Sequence, residues 1–178
     1  MKYKVNCIII NPVKWGVVVE NVLNFHKTTP KNKGKENAML TGEFRHSVDS
    51  KNRLFIPAKM RDELGESFII ARDMRGKRLK VYSLAGWEEY IAPIKAQERK
   101  IAEKALRYLH RNAAQVSPDS QGRVLLGEGL IEYAEIKKEV VIVGCSTYAE
   151  IWCAALYDEE MQNEDFADIC ATLEQFGL

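Results

Sequence analysis

The strongest constraint in the sequence is an internal repeat with an offset of 70 residues. Residues 47–56 align with residues 117–126, and Ser, Asp, Ser and Arg recur in register within the two segments. The same offset, without a gap, places Val81-Tyr82 over Ile151-Trp152. Two separate matches that share one offset indicate a duplicated structural unit. We therefore expect the fold to be built from two similar copies.

Both copies, residues 39–111 and 112–178, show the same order of predicted elements. A strand and a polar turn precede a short apolar strand, a short helix, two further strands and a closing helix. In the first copy, Pro57 can begin the short helix and Gly65 can end it. We expect the remaining elements as strands over 68–71, 79–83, 140–144 and 150–153, a turn over 74–77, and closing helices from Pro93 to about Arg111 and along 166–176.

The two copies are predicted to form one mainly β fold with helices. Neither copy has enough strands to bury both faces of a sheet, so the two should interlock as a pseudo-twofold β-barrel. The last helix has an apolar stripe, which we interpret as core or as a subunit-contact surface and not as a cofactor site. The stripe consists of Phe166, Ile169, Cys170, Leu173 and Phe176.

Charge divides the chain more sharply than its net value of +1 suggests. Residues 39–111 carry sixteen basic and ten acidic side chains, whereas residues 112–178 carry three basic and thirteen acidic ones. One half should therefore attract polyanions and the other repel them. The four cysteines form no C-x-x-C pair, which favours neither a zinc site nor a disulfide framework and fits a reducing cytoplasm.

Residues 1–38 are predicted to be an extension outside the fold. They hold seven Lys and two Glu, and the polar stretch after Asn24 has too little apolar surface to order itself. One interpretation is that Met39 is the true start of the protein; the other is a basic arm that helps to hold DNA. The apolar segment Cys7–Val19 is interrupted by polar residues, so we predict neither a signal peptide nor a membrane span.

The two polar turns are the candidate binding elements. Asp49 and Asn52 suit a tight turn, and Gly122 does so in the second copy. Such a turn projects Arg53, whose planar guanidinium can contact guanine or phosphate on double-stranded DNA. The predicted DNA contacts are Arg53, Lys51, Arg45, His46, Asn52, Lys59 and Arg123, and the predicted turn-structuring residues are Asp49, Ser50, Asp119, Ser120 and Gly122.

Two other interpretations of the turns stay open. Arg53 and Arg123 could simply pair with Asp49 and Asp119 to lock the turns. Because the basic residues Arg45, Lys51, Lys59 and Arg61 surround only the first turn, we expect Arg53 to contact DNA and Arg123 to be partly structural. A shared-proton catalytic pair of the two aspartates is the third interpretation, but basic neighbours favour ionised acids and no substrate pocket is indicated. We predict no enzymatic activity, no metal, no cofactor and no small-molecule substrate.

The motifs around these turns closely resemble those of MraZ proteins. The resemblance begins with Met39-Leu40-Thr41-Gly42-Glu43-Phe44, continues through Val48-Asp49-Ser50-Lys51-Asn52-Arg53-Leu54-Phe55-Ile56-Pro57, and includes the second Asp119-Ser120-Gln121-Gly122-Arg123. It extends from Met39 to about Glu160. The doubled D-x-x-x-R pattern is typical of this family within the AbrB-like swapped-hairpin DNA binders. Asn52 stands where the family usually has Gly. Gln121 stands at a position that is often basic in the family, and this departure weakens the expectation of DNA contact by the second copy.

The resemblance implies a double-split β-barrel and a cytoplasmic, nucleoid-associated repressor. It implies binding to short direct repeats upstream of the division and cell-wall gene cluster that contains the protein's own gene. It also implies a ring of identical subunits, and the charge division suggests head-to-tail contacts between basic and acidic halves. The alternative function is an antitoxin-like protein-binding module that also binds its own promoter; it requires a long acidic tail, whereas we expect residues 158–178 to form a packed helix.

Overall fold

The computed structural model describes residues 39–178, so the predictions for residues 1–38 lie outside the described residues. The described chain alternates strands and helices in the same order in both copies. The strands are β1 (Glu43–Ser47), β2 (Arg53–Phe55), β3 (Phe68–Arg72), β4 (Arg78–Ser83), β5 (Ala113–Val116), β6 (Arg123–Leu125), β7 (Glu139–Gly144) and β8 (Ala149–Cys153). The helices are α1 (Ala58–Leu64), α2 (Leu84–Lys95), α3 (Arg99–Arg111), α4 (Glu128–Tyr133), α5 (Ala154–Asn163) and α6 (Phe166–Gln175).

The strands form two antiparallel sheets that both combine the two copies. The large sheet has six strands in the order β1-β7-β8-β4-β3-β5, and the small one pairs β2 with β6. Strand β1 of the first copy pairs with β7 of the second, and β5 of the second copy pairs with β3 of the first. The prediction of a mainly β fold in which the two copies interlock is therefore confirmed, whereas its closure into a β-barrel stays a prediction.

Equivalent residues meet at the centre of each sheet. Lys80 lies opposite Glu150 in the β4–β8 pair, and Leu54 lies opposite Val124 in the β2–β6 pair. Both pairs are separated by 70 residues, so the sequence repeat becomes a pseudo-twofold relation. The offset rises to 72 between β3 and β7, because Phe68 faces Ser83 as Val140 faces Cys153.

Local signals predicted most element boundaries well. Helix α1 begins at Ala58, with Pro57 as its N-cap and not as its first helical residue, and ends before Gly65, whose φ is 88°. The segment 74–77 connects β3 to β4 as predicted. The positive φ of Gly65 favours glycine at the end of a helix, and for this reason the sequence predicted the end of α1 correctly.

The core lies between the inner face of the large sheet and the β2–β6 ribbon with its two short helices. Its largest fully buried side chains include Phe68, Leu54, Ile56, Met60 and Leu126. On the outer face of the sheet, α2 covers a second cluster around Tyr82, Trp87 and Ile91, and α5 covers a third around Val141, Trp152 and Tyr157. The candidate turns are thus attached to a rigid core at both ends of the ribbon.

Two predictions about the closing helices were wrong. A single helix from Pro93 to Arg111 was expected, but α2 ends at Lys95 and α3 begins at Arg99, after Glu98 adopts an extended ψ of 134°. The last helix was expected to pack, but α6 contains no buried residue. The apolar stripe of α6 is therefore not part of the core of the chain, and its interpretation as a contact surface remains.

Candidate nucleic-acid interface

The first turn is held by one carboxylate. Asp49 Oδ1 accepts hydrogen bonds from the backbone N–H of Lys51 at 2.8 Å and of Arg53 at 2.9 Å. Its Oδ2 accepts from Arg53 Nε at 2.8 Å and lies 2.7 Å from Arg53 Nη2. Asn52 has a φ of 58°, which confirms that asparagine takes the left-handed position here. The arginine and the turn are thereby fixed to each other.

The second turn repeats this geometry. Asp119 Oδ1 accepts from the backbone N–H of Gln121 at 2.9 Å and of Arg123 at 3.0 Å. Its Oδ2 accepts from Arg123 Nε at 3.0 Å and Nη2 at 2.8 Å. Gly122 occupies the left-handed position with a φ of 77°. The pairing of arginine with aspartate, one of the three interpretations of the turns, is present in both copies.

Both turn carboxylates are strongly acidic. The hydrogen bond from the Arg53 side chain, helped by the Arg53 backbone N–H, lowers the pKa of Asp49 to about 2. Arg123 lowers the pKa of Asp119 to about 2 in the same way. A pair of carboxylates that shared one proton would instead have one raised pKa. This geometry therefore gives no support to a catalytic aspartate pair.

The two turns lie at opposite ends of the β2–β6 ribbon. Leu126 N–H donates to Asn52 O at 2.8 Å, and Ile56 N–H donates to Gly122 O at 3.0 Å. The ribbon contains three residue pairs, so it is roughly 10 Å long at about 3.3 Å per residue. Its outward side chains, Phe55 and Leu125, are exposed. Two arginine-bearing turns therefore flank one short, solvent-facing ribbon.

Arg53 and Arg123 are equally available at their turns. Their side chains are 32% and 27% exposed, and each uses Nε and Nη2 for its own aspartate. Within residues 39–178, the Nη1 groups of both arginines make no hydrogen bond or ion pair. The contacts of the single chain therefore do not separate a binding arginine from a structural one, and only their surroundings differ.

Arg45 does not belong to the cluster of residues at the first turn. Its guanidinium donates to both carboxylate oxygens of Asp158 in α5, at 2.6 and 3.2 Å, and lies 3.5 Å from Glu43. The hydrogen bond with Asp158 raises the pKa of Arg45 and lowers that of Asp158. The structure thus connects Arg45 to the second copy instead of leaving it free beside Arg53.

The other residues that were predicted to contact DNA differ in the contacts that they make within the chain. His46 packs edge-on against the Phe55 ring, with ring centroids 5.2 Å apart. Lys59 donates to Thr41 Oγ1 at 3.1 Å, whereas the Lys51 side chain is exposed at the tip of the first turn. In residues 39–178, Ser50 and Ser120 are exposed and their hydroxyls make no hydrogen bond, so the aspartates alone supply the side-chain bonds that shape the turns.

Arg61, expected among the basic neighbours of Arg53 at the first turn, lies instead beside the second turn. It belongs to the first copy, but its guanidinium lies against the second turn: a Cβ built on Gly122 would be 2.8 Å from Arg61 Cζ. Its Nε donates to Ile56 O at 3.0 Å, and its guanidinium lies 5.9 Å from the Phe55 ring centre. The second turn therefore receives from the first copy a cation that Gln121 does not supply. The repeat alone could not reveal this contact, because it depends on how the copies interlock.

Residues 39–178 show neither a metal-binding cluster nor a membrane-spanning helix. No group of three or more His, Cys, Asp or Glu side chains is arranged to hold a metal ion in this part of the chain. No helix in the same residues is long and apolar enough to cross a membrane.

A protein-family model and several known proteins match most of the sequence. A family model described as "MraZ protein, putative antitoxin-like" matches twice, over residues 39–108 and 109–176. A protein of Pediococcus pentosaceus named transcriptional regulator MraZ is 39% identical over 145 residues, which cover 79% of this chain and 100% of the relative. Proteins of the same name from Clostridium acetobutylicum and Caldicellulosiruptor bescii are 40% and 39% identical, over 78% and 79% of this chain and 97% and 100% of their own lengths.

Proposed function

The chain belongs to the MraZ family, and from this membership and the geometry of its turns we propose that it is a DNA-binding transcriptional regulator. The observation that carries the proposal is the presentation of two arginines by carboxylate-locked turns at both ends of one exposed ribbon. Groups that are held rigidly before binding lose little conformational entropy when a ligand binds.

Each turn can offer its arginine to DNA without breaking the aspartate pair. Asp49 occupies Nε and Nη2 of Arg53, so the Nη1 side of the guanidinium is available to a phosphate or a base edge. Lys51 adds an exposed cation beside Arg53, and Arg61 adds one beside the second turn. DNA contact by the second copy is therefore supported more strongly than Arg123 alone suggests.

The finer proposal concerns fold and target, and it is supported by the family resemblance. The two copies, residues 39–111 and 112–178, form a double-split barrel of the AbrB-like type. The protein is a repressor without enzymatic activity that works in the cytoplasm on the nucleoid. Its target is a set of short direct repeats in its own promoter, upstream of the division and cell-wall gene cluster.

Assembly into a ring is part of the same proposal. The charge difference between residues 39–111 and 112–178 supports a head-to-tail contact, which can close into a ring when the rotation fits. A ring would place successive turns against successive DNA repeats. Each contact can then be weak while the assembly binds tightly, because the later contacts form within one complex.

The experiment that tests this function compares the two equivalent arginines. Fluorescence anisotropy with labelled DNA from upstream of the protein's own gene measures binding of the wild type, Arg53→Ala and Arg123→Ala. Loss of a good base contact costs about 1–3 kcal/mol, or roughly 5- to 150-fold in affinity for each subunit engaged. We expect the larger loss for Arg53→Ala, because its neighbour Lys51 is exposed, whereas the cation beside Arg123's turn, Arg61, is half-buried and donates to Ile56 O.

The pair of variants controls for damage to the turns. Both substitutions remove the same bonds to a turn aspartate, so similar thermal midpoints would make any difference in DNA binding a property of the DNA contact. The proposed function is wrong if the wild type binds this DNA no better than unrelated DNA of equal length. The proposed role of Arg53 is wrong if both variants bind like the wild type.

An antitoxin-like function is the second candidate, and the exposed helix α6 is the observation that favours it. This acidic helix has no buried residue and offers an apolar face to a partner. If the partner is a different protein, substitutions on this face will leave the self-association of the chain unchanged. The same substitutions will disrupt self-association if the partner is another copy.

A further inference from the structure

An open apolar groove lies between α2 and α3 on the basic half of the molecule. Its volume is about 880 Å³, and it is lined by Tyr90, Ile94, Ile101, Ala105, Tyr108 and Leu109. Ile101 and Tyr108 are 58% and 50% exposed, although both are large apolar or aromatic side chains. An exposed apolar depression of this kind on a folded domain commonly marks a binding surface.

Helix α6 has the shape and chemistry that such a groove accepts. Its side chains at 166, 169 and 173, together with Phe176 at its C-cap, follow helical spacing and therefore lie on one face of the helix. The exposures of Phe166 and Phe176 are 76% and 77%, and Ile169 and Leu173 are 38% and 43% exposed. Helix α6 does not fill the groove of its own chain. An amphipathic helix commonly binds by laying this pattern of anchors into an apolar groove.

The charges around the two surfaces are opposite. Helix α3 carries five Lys or Arg residues and one acidic residue, and the charged residues that line the groove itself are Lys100, Lys104 and Glu98. Residues 164–178 contain four acidic residues and no Lys or Arg. Complementary charge of this kind guides association and sets the orientation of the partners. Because both surfaces belong to one chain, each copy can serve as acceptor and as donor.

We propose that α6 of one copy binds in the α2–α3 groove of the next copy. This inference rests on the proposed head-to-tail assembly and names the two surfaces that would form it. The contact joins different surfaces, so every copy retains one free groove and one free α6 until a ring closes. It assigns the apolar stripe of α6 to the partner groove and leaves the turns at the β2–β6 ribbon free for DNA.

The test uses two full-length variants, one for each surface. Leu173→Asp places a charge on α6, and Ile101→Asp places one in the groove; both positions are exposed, so the fold should persist. Sedimentation velocity measures self-association, with circular dichroism as the check on folding. We expect the wild type to form a higher assembly and each variant alone to be a monomer, with a dissociation constant raised at least about tenfold.

Mixing the two variants identifies the geometry. The Leu173→Asp copy keeps an intact groove and the Ile101→Asp copy keeps an intact α6, so an equimolar mixture should form a heterodimer and stop there. If Ile101→Asp still self-associates, α6 packs against another α6 and the proposal is wrong. If the wild type is a monomer, or the mixture forms no heterodimer, the groove is filled within the chain or by a different protein, and the proposal is also wrong.

Carbodiimide crosslinking of mixed light and heavy wild-type protein tests the contact directly. We expect links from Lys100 or Lys104 to acidic residues in 164–178 that join a light peptide to a heavy one. Links from these lysines only to residues 1–38 would overturn the proposal. DNA binding is measured separately on the same variants. Assembly without DNA binding would defeat the proposed function alone, and Arg53-dependent DNA binding by a wild-type monomer would defeat this inference alone.

Discussion

Leu54 and Val124, equivalent residues of the two copies, lie directly opposite each other in the β2–β6 ribbon and are 0% and 1% exposed. The centre of the ribbon is thus anchored in the core while the neighbouring Phe55 and Leu125 face outward. The position of both arginine-bearing turns depends on this anchoring, because each turn is one end of the ribbon.

Removing the anchor should destabilise the whole fold. Leu54→Ala leaves a cavity between the two copies, and substitutions of this kind cost about 2–5 kcal/mol of unfolding free energy. Leu125→Ala is the matched control, because Leu125 lies on the same ribbon but is 63% exposed. Urea denaturation, monitored by circular dichroism, measures the free energy of unfolding of both variants. Equal losses for the two variants would show that the ribbon is not anchored as described.

The second turn should tolerate alanine poorly at Gly122. An L-residue in the left-handed conformation costs about 1–2 kcal/mol, and the φ of Gly122 is 77°. The added Cβ would also meet the end of the Arg61 side chain. We expect Gly122→Ala to lower the free energy of unfolding, measured with urea, by about 1–2 kcal/mol. Asn52→Gly should lower it only a little.

A double variant separates the two costs at Gly122. Arg61→Ala removes the guanidinium that the new Cβ would contact, so Arg61→Ala with Gly122→Ala retains only the backbone penalty. If Gly122→Ala costs the same with and without Arg61, the side chain simply moves aside. A stability of Gly122→Ala equal to that of the wild type would contradict the left-handed turn.

The sequence predicted the features that depend on local chemistry. Asp49, Asn52 and Gly122 identified both turns, because short polar side chains and glycine stabilise this backbone whatever surrounds it. The offset of 70 residues predicted which elements are equivalent. Since the same D-x-x-x-R spacing sets both aspartate–arginine pairs, the geometry of each turn could be predicted from a few neighbouring residues.

Features that depend on how the copies meet were not predictable in the same way. The position of Arg61 beside the second turn results from strand pairing between the copies, and its helical neighbours give no sign of it. The break at residues 96–98 was missed because Ile94 and Ile101 continue one apolar period across two helices. The exposure of α6 was missed because an apolar stripe does not say whether its partner belongs to the same chain.

The turn carboxylates should make the stability of the fold depend on pH in the acidic range. The pKa of Asp49 and that of Asp119 are about 2 in the folded chain, below the ordinary value of 3.8. Their stabilising contribution is therefore complete above about pH 4 and is lost as the pH falls toward 2. We expect the urea midpoint to fall over this range, and to fall less when both are replaced by asparagine.

One variant tests the cause of these shifts inside a single molecule. In Arg53→Gln the pKa of Asp49 should rise toward its ordinary value, because its strongest hydrogen-bond donor is lost, while that of Asp119 stays near 2. Carboxyl carbon chemical shifts measured by NMR between pH 1.5 and about 6 would follow both groups. A parallel change at both aspartates would mean that global unfolding, and not the local pair, controls the titration.

Lys51 should contribute to DNA binding mainly through phosphate charge. Its side chain is exposed at the tip of the first turn and is not used to build the turn. Each phosphate contact releases counterions, so Lys51→Ala should reduce the slope of log K against log salt by about one for each engaged subunit. Lys77→Ala is the control for simple loss of charge, because Lys77 lies between β3 and β4, outside the α2–α3 groove, with a side chain that is 60% exposed. Since Lys77 is already paired with Glu135 and lies outside the two arginine-bearing turns, its loss should leave the slope unchanged. A similar decrease in both variants would indicate that total charge, not the turn, sets the affinity.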